Sequence, residues 1–408
     1  MSLVILYILV PFVAALIASF WVFPNILRIS LKNNIVDNPN ARKLQRVPVP
    51  VLGGMVVQFG ILVALCVCQL FVDCSSLFTV VLAMSIMLYV GTMDDILNIS
   101  ANVRFVLEIL VALMIIYTCD YSLDSLHGLW GIYDLSPYVS VPLTIVTVVG
   151  IVNAINLIDG VDGYSSGYCI MACLIFGFLF LMIGDESMVM LAVVCVASLI
   201  PFFLHNVFGR ASKMFIGDGG TLLMGCVMSI FVLNVLKSDT LCVLYCEWGI
   251  GLVPLALAIL CIPVFDTVRV MTMRMLRKTS PFHADKTHLH HLFIEMGFSH
   301  IGTTVSILTL NCLVVLGWYI SYKCGLSVDA QLYVVIALSM LVTVVLYYGM
   351  RYCGKQDWAI YRLMQRIGKN THVERKGLFL LLQNIIDRKF LAPSPVLDTE
   401  SADSEVFK

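Results

Sequence analysis

Charge is what this chain is short of. Only 12% of its 408 residues are Asp, Glu, Lys or Arg, whereas 60% are apolar and the mean hydropathy is +0.95. A soluble domain carries roughly twice that share of charge, so a soluble globule is excluded. The expectation is an all-α polytopic integral membrane protein. The first apolar run has no basic residue before it and no small-residue cleavage motif after it, so it reads as a first membrane span and not as a cleaved signal peptide. The 14 cysteines include no C-x-x-C pair and no zinc-finger spacing. They read as small buried hydrophobes, with Cys242 and Cys246 sharing one outer loop. There is no internal repeat of the kind that marks many transporters, and no low-complexity linker. The net charge of −1 excludes nothing, because a membrane protein sorts its charge by side of the bilayer; nothing here calls for a nucleic acid.

What the chain has in abundance is apolar runs of about 20 residues, the length that spans a bilayer. Eleven can be placed, near 3–23, 51–72, 75–92, 104–119, 139–157, 165–183, 187–204, 219–236, 249–271, 304–322 and 328–349. With the first run entering from outside, the connections 24–50, 93–104, 158–164, 205–218 and 269–303 and the tail 350–408 fall inside. Every Lys and Arg except Lys237 and Lys323 then lies inside, as the positive-inside rule asks. This divides the chain into a membrane domain, 1–350, and a basic amphipathic tail, 351–408. In the tail, Trp358, Ile360, Leu363, Leu378, Phe379, Leu382 and Ile385 alternate with basic residues, which suits one or two helices lying on the membrane or packed on the cytoplasmic face. Its Pro- and acid-rich end reads as disordered.

Four polar islands interrupt the apolar pattern, all on the inner side. An ionisable residue at a bilayer boundary is costly and is by default a functional-site candidate. Asp94 and Asp95 end the third run; neighbours on a helix point about 100° apart, so one should meet a substrate while the other holds a neighbour or a metal. Asn153, Asn156 and Asp159 recur every three residues and would share one broad face of the fifth helix. Gly160 and Gly163 should break that helix and turn Asp162 back toward the same pocket. Asp218 sits in Phe-Ile-Gly-Asp-Gly-Gly-Thr at the entry to the eighth helix. There, backbone N–H groups can cradle a phosphate and the carboxylate suits a hard cation. Mg²⁺ keeps several waters and takes one or two protein oxygens plus phosphate, which makes Asn156, Asp159 and Asp218 its candidate ligands.

The fourth island carries His283, His288, His290 and His291 beside Asp285, Lys286, Arg274, Arg277 and Lys278. It lacks the i,i+4 spacing of H-E-x-x-H and any Cys partner. A pyrophosphate-binding loop fits better than a zinc site, with Arg forking onto phosphate oxygens. Asp266 and Arg269 read as a buried ion pair. The first inner loop supplies Arg42, Lys43 and Arg46 next to a tight turn, placed to cover an anionic site.

Taken together the motifs resemble the polyprenyl-phosphate N-acetylhexosamine-1-phosphate transferases, the family of WecA, TagO and MraY enzymes. The matching strings are D-x-P-x-x-R-K and P-x-P-x-x-G-G within 37–54, D-D at 94–95, N-x-x-N-L-x-D-G-x-D-G at 153–163, F-x-G-D-x-G at 215–220 and H-x-H-H at 288–291. The resemblance implies a Mg²⁺-dependent transfer, with Mn²⁺ as the alternative ion. A lipid phosphate attacks the β-phosphorus of a UDP-sugar, giving a polyprenyl-diphosphate sugar and UMP at the start of a cell-envelope polysaccharide. It further implies a bacterial cytoplasmic membrane with the site facing the cytoplasm. By the same resemblance Asp94 is the base or organiser for the lipid phosphate, and Asp94, Asp95, Asp159 and Asp162 are the catalytic residues. Asn153 joins the substrate site, Asn156, Asp159 and Asp218 line metal and pyrophosphate, and Asp162 lies in the nucleotide region. Arg42, Lys43, Arg274, His288, His290 and His291 bind substrate. A covalent phospho-sugar on an Asp is left open; direct attack is favoured because phosphoryl transfer needs mainly positioning and charge neutralisation. A homodimer is also left open.

Asn98 stands where the MraY branch has Lys, and the loop reads H-L-H-H instead of three consecutive His. Both point to the WecA/TagO branch with UDP-N-acetylglucosamine or a close N-acetylhexosamine as donor; MraY-type transfer of phospho-MurNAc-pentapeptide and transfer of an epimerised or deoxygenated N-acetylhexosamine are the runners-up. Gln45 replaces the usual His of the first loop, which removes an acid–base candidate there. The rival from another class is a secondary transporter, whose ionisable groups sit near the bilayer midplane on broken helices, unlike the helix-end positions here.

Overall fold

In the computed structural model, residues 5–38, 47–237, 249–281, 285–373, 377–388 and 390 are described. Arg42, Lys43, Arg46, His283, Cys242 and Cys246 lie outside them. The chain is helical nearly throughout: α1 Val10–Lys32, α2 Gly53–Cys68, α3 Phe78–Leu97, α4 Ala101–Cys119, α5 Pro137–Leu157, α6 Tyr164–Ile183, α7 Glu186–Phe208 and α8 Gly217–Lys237. There follow α9 Leu252–Ile259, α10 Cys261–Leu276, α11 Leu289–Glu295, α12 His300–Lys323, α13 Val328–Met340, α14 Leu346–Lys355, α15 Ala359–Asn370 and α16 Gly377–Asp387. The only strands among the described residues are two short antiparallel pairs, β1 Val36–Asp37 with β2 Val49–Pro50, and β3 Ser125–Leu129 with β4 Ile132–Asp134.

Local chemistry sets the helix ends. Ser100, Asp185, Ser299 and Ser327 accept backbone N–H groups at the starts of α4, α7, α12 and α13, a typical N-cap role. Asn98 closes α3 in the left-handed conformation at φ 52°, which Asn tolerates better than most residues. The residue at the position expected for Lys is therefore a helix stop.

All eleven apolar runs are helices, but fewer than eleven are long enough to span. Nine qualify by length and composition among the described residues, ten if α9 and α10 are one bent span. Helix α2 has 16 residues, about 24 Å at 1.5 Å per residue, short of a hydrocarbon core of about 30 Å. Between α9 and α10 the chain bends by 76° at Leu260. The backbone groups freed there are satisfied by neighbours: Ile259 O accepts from Tyr168 Oη at 2.5 Å and from Asn311 Nδ2 at 3.0 Å, and Asn311 Oδ1 accepts Ile262 N at 3.3 Å. Such repair is what lets a broken helix persist in lipid.

Helix α8 is the axis of the bundle, entirely enclosed by protein over its apolar window, with α2, α3, α5 and α6 around it. Close approach is bought with glycine: a Cβ on Gly225 would stand 2.7 Å from Val152 Cα, and one on Gly91 2.4 Å from the Asp218 carbonyl carbon. The outer faces of α1, α4 and α12 carry exposed Ile17, Trp21, Leu110, Leu313 and Leu316, the surface expected against lipid. The cysteines of the described residues are free thiols and most are buried. In the tail, Leu378, Leu381 and Ile385 line an exposed stripe of α16, while Phe379 packs on Phe208 at the end of α7.

Candidate active site

The ends of α3 and α5, the starts of α4 and α8 and the loops between them converge on one end of the bundle. The first inner loop reaches this end through backbone pairing. Phe215 N donates to Pro50 O at 2.7 Å, Gly53 N to Phe215 O at 3.0 Å and Gly54 N to Ile216 O at 2.8 Å. The P-x-P-x-x-G-G and F-x-G-D-x-G strings thus zip together, and their glycines are explained by backbone contact: a Cβ on Gly54 would lie 2.4 Å from Gly220 N.

At the end of α3 the two aspartates divide as their angular offset predicts. Asp95 Oδ2 accepts Gly219 N at 3.3 Å and braces the glycine turn. Asp94 faces Arg104, whose Nη1 donates to Asp94 Oδ2 at 3.1 Å and lies 3.8 Å from Asp218 Oδ2. The same guanidinium donates through Nη2 to Asn153 Oδ1 at 3.1 Å, and its Nε is 3.4 Å from Glu108 Oε1. Asn153 Nδ2 in turn donates to Glu108 Oε2 at 2.5 Å. Arg104 and Glu108 were not singled out in the sequence, although ionisable residues at the edge of an apolar run carried the signal.

The expected common face of Asn153, Asn156 and Asp159 is not formed. Helix α5 ends at Leu157, so Asp159 lies in the following turn. Asn153 turns to Arg104, whereas Asn156 Nδ2 donates to Asp218 Oδ1 and Thr221 Oγ1, each at 2.8 Å. Asp159 Oδ1 accepts Ser165 Oγ at 2.5 Å. Asp159 is open to solvent on one side and crowded by protein on the others. The crowding is the larger influence and pushes its carboxyl up to about 7 against the Ser165 hydrogen bond, with Asp218 and Asp162 adding to the rise. The helix break expected at Gly160 and Gly163 is present; Gly163 has φ 75°, and a Cβ on Gly160 would strike the His290 ring at 2.3 Å.

Asp162 turns to partners that the sequence did not reveal: Lys213 Nζ at 2.6 Å and His300 Nδ1 at 2.8 Å. Burial opposes its ionised form, but the hydrogen bond to His300 and the charge of Lys213 outweigh it and hold the carboxyl below its usual range.

The histidine loop is organised by carboxylates. Asp266 does more than pair with Arg269 at 2.5 Å: its Oδ2 also lies 2.9 Å from His288 Nδ1 and accepts Leu289 N at 3.1 Å. With Nδ1 set against Asp266, the His288 ring turns its Nε2 the other way, and that buried atom has no protein partner among the described residues. Arg269 also stacks on Tyr347 at 3.9 Å and donates to Thr287 O at 2.7 Å. Arg274 is enclosed, donating to Asp285 Oδ1 at 2.9 Å and Pro281 O at 2.7 Å. In this geometry it ties the loop to α10 instead of projecting a free fork. Burial works against the Asp285 carboxylate, but Arg274 and Thr287 hold it down to about 2. His290 is pushed well below the usual imidazole range by burial and by His291 and His288, and His291 is pushed down to about 4 by burial, His288 and Lys286. Both rings are therefore neutral near pH 7, each able to donate a single hydrogen bond.

Among the described residues no three His, Cys, Asp or Glu side chains converge to hold an ion by themselves. That excludes a protein cage of the zinc type from these residues. It does fit Mg²⁺, which needs only one or two carboxylates when water and phosphate complete its shell. Three carboxyl groups, of Asp94, Glu108 and Asp218, lie within 4 Å of the Arg104 guanidinium. Asp218, 39% exposed at its side chain, is the accessible oxygen donor, joined to Asn156 and near Asp94.

Comparison with known proteins gives a family model described as glycosyl transferase family 4, matching residues 77–236. The undecaprenyl-phosphate alpha-N-acetylglucosaminyl 1-phosphate transferase of Salmonella typhi is 26% identical over 354 residues, covering 86% of this chain and 92% of its own. The protein of the same name from Yersinia pestis is 28% identical over 366 residues, covering 85% and 93%. That from Escherichia coli (strain K12) is 25% identical over 354 residues, covering 86% and 92%.

Proposed function

From the premise that the chain belongs to glycosyl transferase family 4, we propose that it transfers N-acetylglucosamine 1-phosphate from UDP-N-acetylglucosamine to undecaprenyl phosphate and releases UMP. The observation that carries the reading is the gathering of Asp94, Asp218, Asn156 and Arg104 at one end of the bundle, a constellation suited to polyphosphate and a hard cation. An oxygen of the lipid phosphate attacks the β-phosphorus. The bond between that phosphorus and the α–β bridging oxygen breaks, and the electron pair leaves with UMP. Mg²⁺ held at Asp218 and Asp94 would supply charge neutralisation on the phosphates.

The protein's own groups do the positioning. Arg104, held by Asp94, Asn153 and Glu108, supplies the positive charge for an incoming phosphate, which must displace one of these partners to be hydrogen-bonded. Asp95, which accepts Gly219 N, and the first inner loop fix the glycine turn that carries Asp218. The orphan Nε2 of His288, in a ring aligned by Asp266, is the atom free to hydrogen-bond the donor. Asp162 and Lys213 border the nucleotide. The site faces the cytoplasm of the bacterial inner membrane, where UDP-sugars are made.

A secondary transporter is less well supported, because the broken span at Leu260 is closed by Tyr168 and Asn311 and residues 258–263 include no Asp, Glu, Lys, Arg or His. The test is to incubate the purified protein with undecaprenyl phosphate, Mg²⁺ and a panel of UDP-sugars and to measure UMP. Release with UDP-N-acetylglucosamine is expected, lost on chelation. Efficient transfer from UDP-MurNAc-pentapeptide instead would move the protein to the MraY branch, and no release with any donor would end the transferase reading.

A further inference from the structure

The loop between α7 and α8 carries Lys213, the partner of Asp162, and leads within a few residues into Asp218. Its other contacts also serve the candidate site: Asn206, at the end of α7, accepts Gly163 N through Oδ1 at 2.6 Å and donates to Met214 O at 2.9 Å. Two residues of the tail, Asp387 and Phe390, hold the opposite side of this loop. Asp387, the last residue of α16, is 3% exposed. Its Oδ2 accepts Arg210 N at 2.8 Å and Ala211 N at 3.1 Å; its Oδ1 accepts Ser212 N at 3.1 Å and Ser212 Oγ at 2.6 Å. Phe390, beyond it, stands edge-on to Phe23 and His205, and His205 Nδ1 is 2.8 Å from the same Ser212 Oγ.

A buried carboxylate is tolerable only with its lone pairs engaged, and here four donors from three consecutive residues meet it. Arg210 N and Ala211 N have no other acceptor among the described residues, so without Asp387 these donors lose their protein partner. The residue next in sequence is Lys213. A shift of the 210–212 backbone therefore moves the ammonium group that neutralises Asp162.

We propose that Asp387 is a positioning residue for the nucleotide side of the site: the C-terminal helix locks the 210–212 loop so that Lys213 meets Asp162. The proposal rests on the transferase reading for its kinetic test and on the loop geometry for its physical one. It assigns the tail a role inside the reaction cycle of the membrane domain, beyond resting on the bilayer.

The test uses the full-length protein and the variants Asp387→Ala, Asp387→Asn, Lys213→Ala and the Asp387→Ala/Lys213→Ala double variant. Asp387→Ala is expected to raise KM for the UDP-sugar about tenfold, the scale of one charge-assisted hydrogen bond, with KM for undecaprenyl phosphate unchanged. Lys213→Ala should do the same, and the double variant should be no worse than Lys213→Ala alone, since both changes act through one contact. A merely structural role would lower the active fraction, seen as kcat alone, and its loss would multiply with that of Lys213→Ala; either pattern overturns the proposal. Deuterium exchange over 209–216 supplies a readout that needs no substrate: at least tenfold faster exchange is expected in Asp387→Ala. Unchanged exchange overturns the proposal even if transfer is intact, whereas faster exchange in a protein that turns over no UDP-sugar retires the transferase reading and leaves the clamp standing. Should Asp387→Ala fail to accumulate, Asp387→Asn, which keeps the size and one acceptor oxygen, goes through the same measurements.

Discussion

Replacing Arg104 tests the site at its centre. Its side chain is 16% exposed and touches Asp94, Asn153 and Glu108, with Asp218 at 3.8 Å. Arg104→Leu removes the fork and leaves Glu108, 1% exposed at its side chain, without a cation. Loss of one charged hydrogen bond to a phosphate that is kept through the transition state costs about 1.5–3 kcal/mol, or about 10- to 150-fold in kcat/KM. Breaking a buried pair by removing one partner costs about 3–5 kcal/mol of stability, an upper bound here because Arg104 is partly accessible and Glu108 keeps its Asn153 partner. The two effects separate in Arg104→Leu/Glu108→Gln: neutralising the stranded carboxyl should restore much of the thermal midpoint and none of the turnover. Arg104→Lys keeps the charge but loses the planar fork and should fall between. UMP release in detergent, with Mg²⁺ varied, measures the first effect; thermal unfolding measures the second. Removing a cation beside Asp94 and Asp218 should also lower the Mg²⁺ concentration needed for half-maximal rate. Wild-type kcat/KM in Arg104→Leu, or recovery of turnover in the double variant, would refute the assignment.

Asp218→Asn and Asp159→Asn should each weaken or abolish Mg²⁺-dependent turnover without unfolding the protein, Asp218 the more severely because it is the accessible donor beside Arg104; near-normal rates at limiting Mg²⁺ would remove the residue from the metal site. Gly54→Ala and Gly91→Ala put a Cβ 2.4 Å from backbone atoms of Gly220 and Asp218 and should cost about 1–3 kcal/mol by overpacking. Gly150→Ala, with nothing within 4 Å, should leave the thermal midpoint in place; equal stability of all three would contradict the loop docking. Ser280→Cys, in the exposed turn after α10, should resist an impermeant thiol reagent in intact cells and react in inverted vesicles when native cysteines are replaced, and labelling from outside would invert the topology.

The helix break after Asn156 shows how far local pattern reaches. Gly160 and Gly163 marked it correctly, since positive φ and close packing are local demands that only glycine meets cheaply. The same pattern misplaced Asp159, because a three-residue repeat predicts a shared face only while the helix continues, and α5 stops at Leu157. The split between Asp94 and Asp95 was legible for the opposite reason: both lie on an unbroken helix, where angular offset is fixed by geometry. For Arg274, sequence could supply the charge but not its occupant, and Asp285, eleven residues on, takes the fork that was expected to face a phosphate.

By itself the sequence determined the apolar solvent and the helices, because apolar length and capping are short-range properties written residue by residue; the sorting of Lys and Arg supplied the expectation of which side the chemistry faces. It also marked the carboxylates, amides and histidines, since polar groups in an apolar chain are costly wherever they end up. Only the tertiary structure decided who meets whom. Arg104 reaches Asn153 across 49 positions, Lys213 reaches Asp162 across 51, and Asp387 reaches Ser212 across 175. Such pairs are selected by the packing of the helices on one another, which brings distant helix ends and loops within hydrogen-bonding range, and no periodicity along the chain encodes that distance.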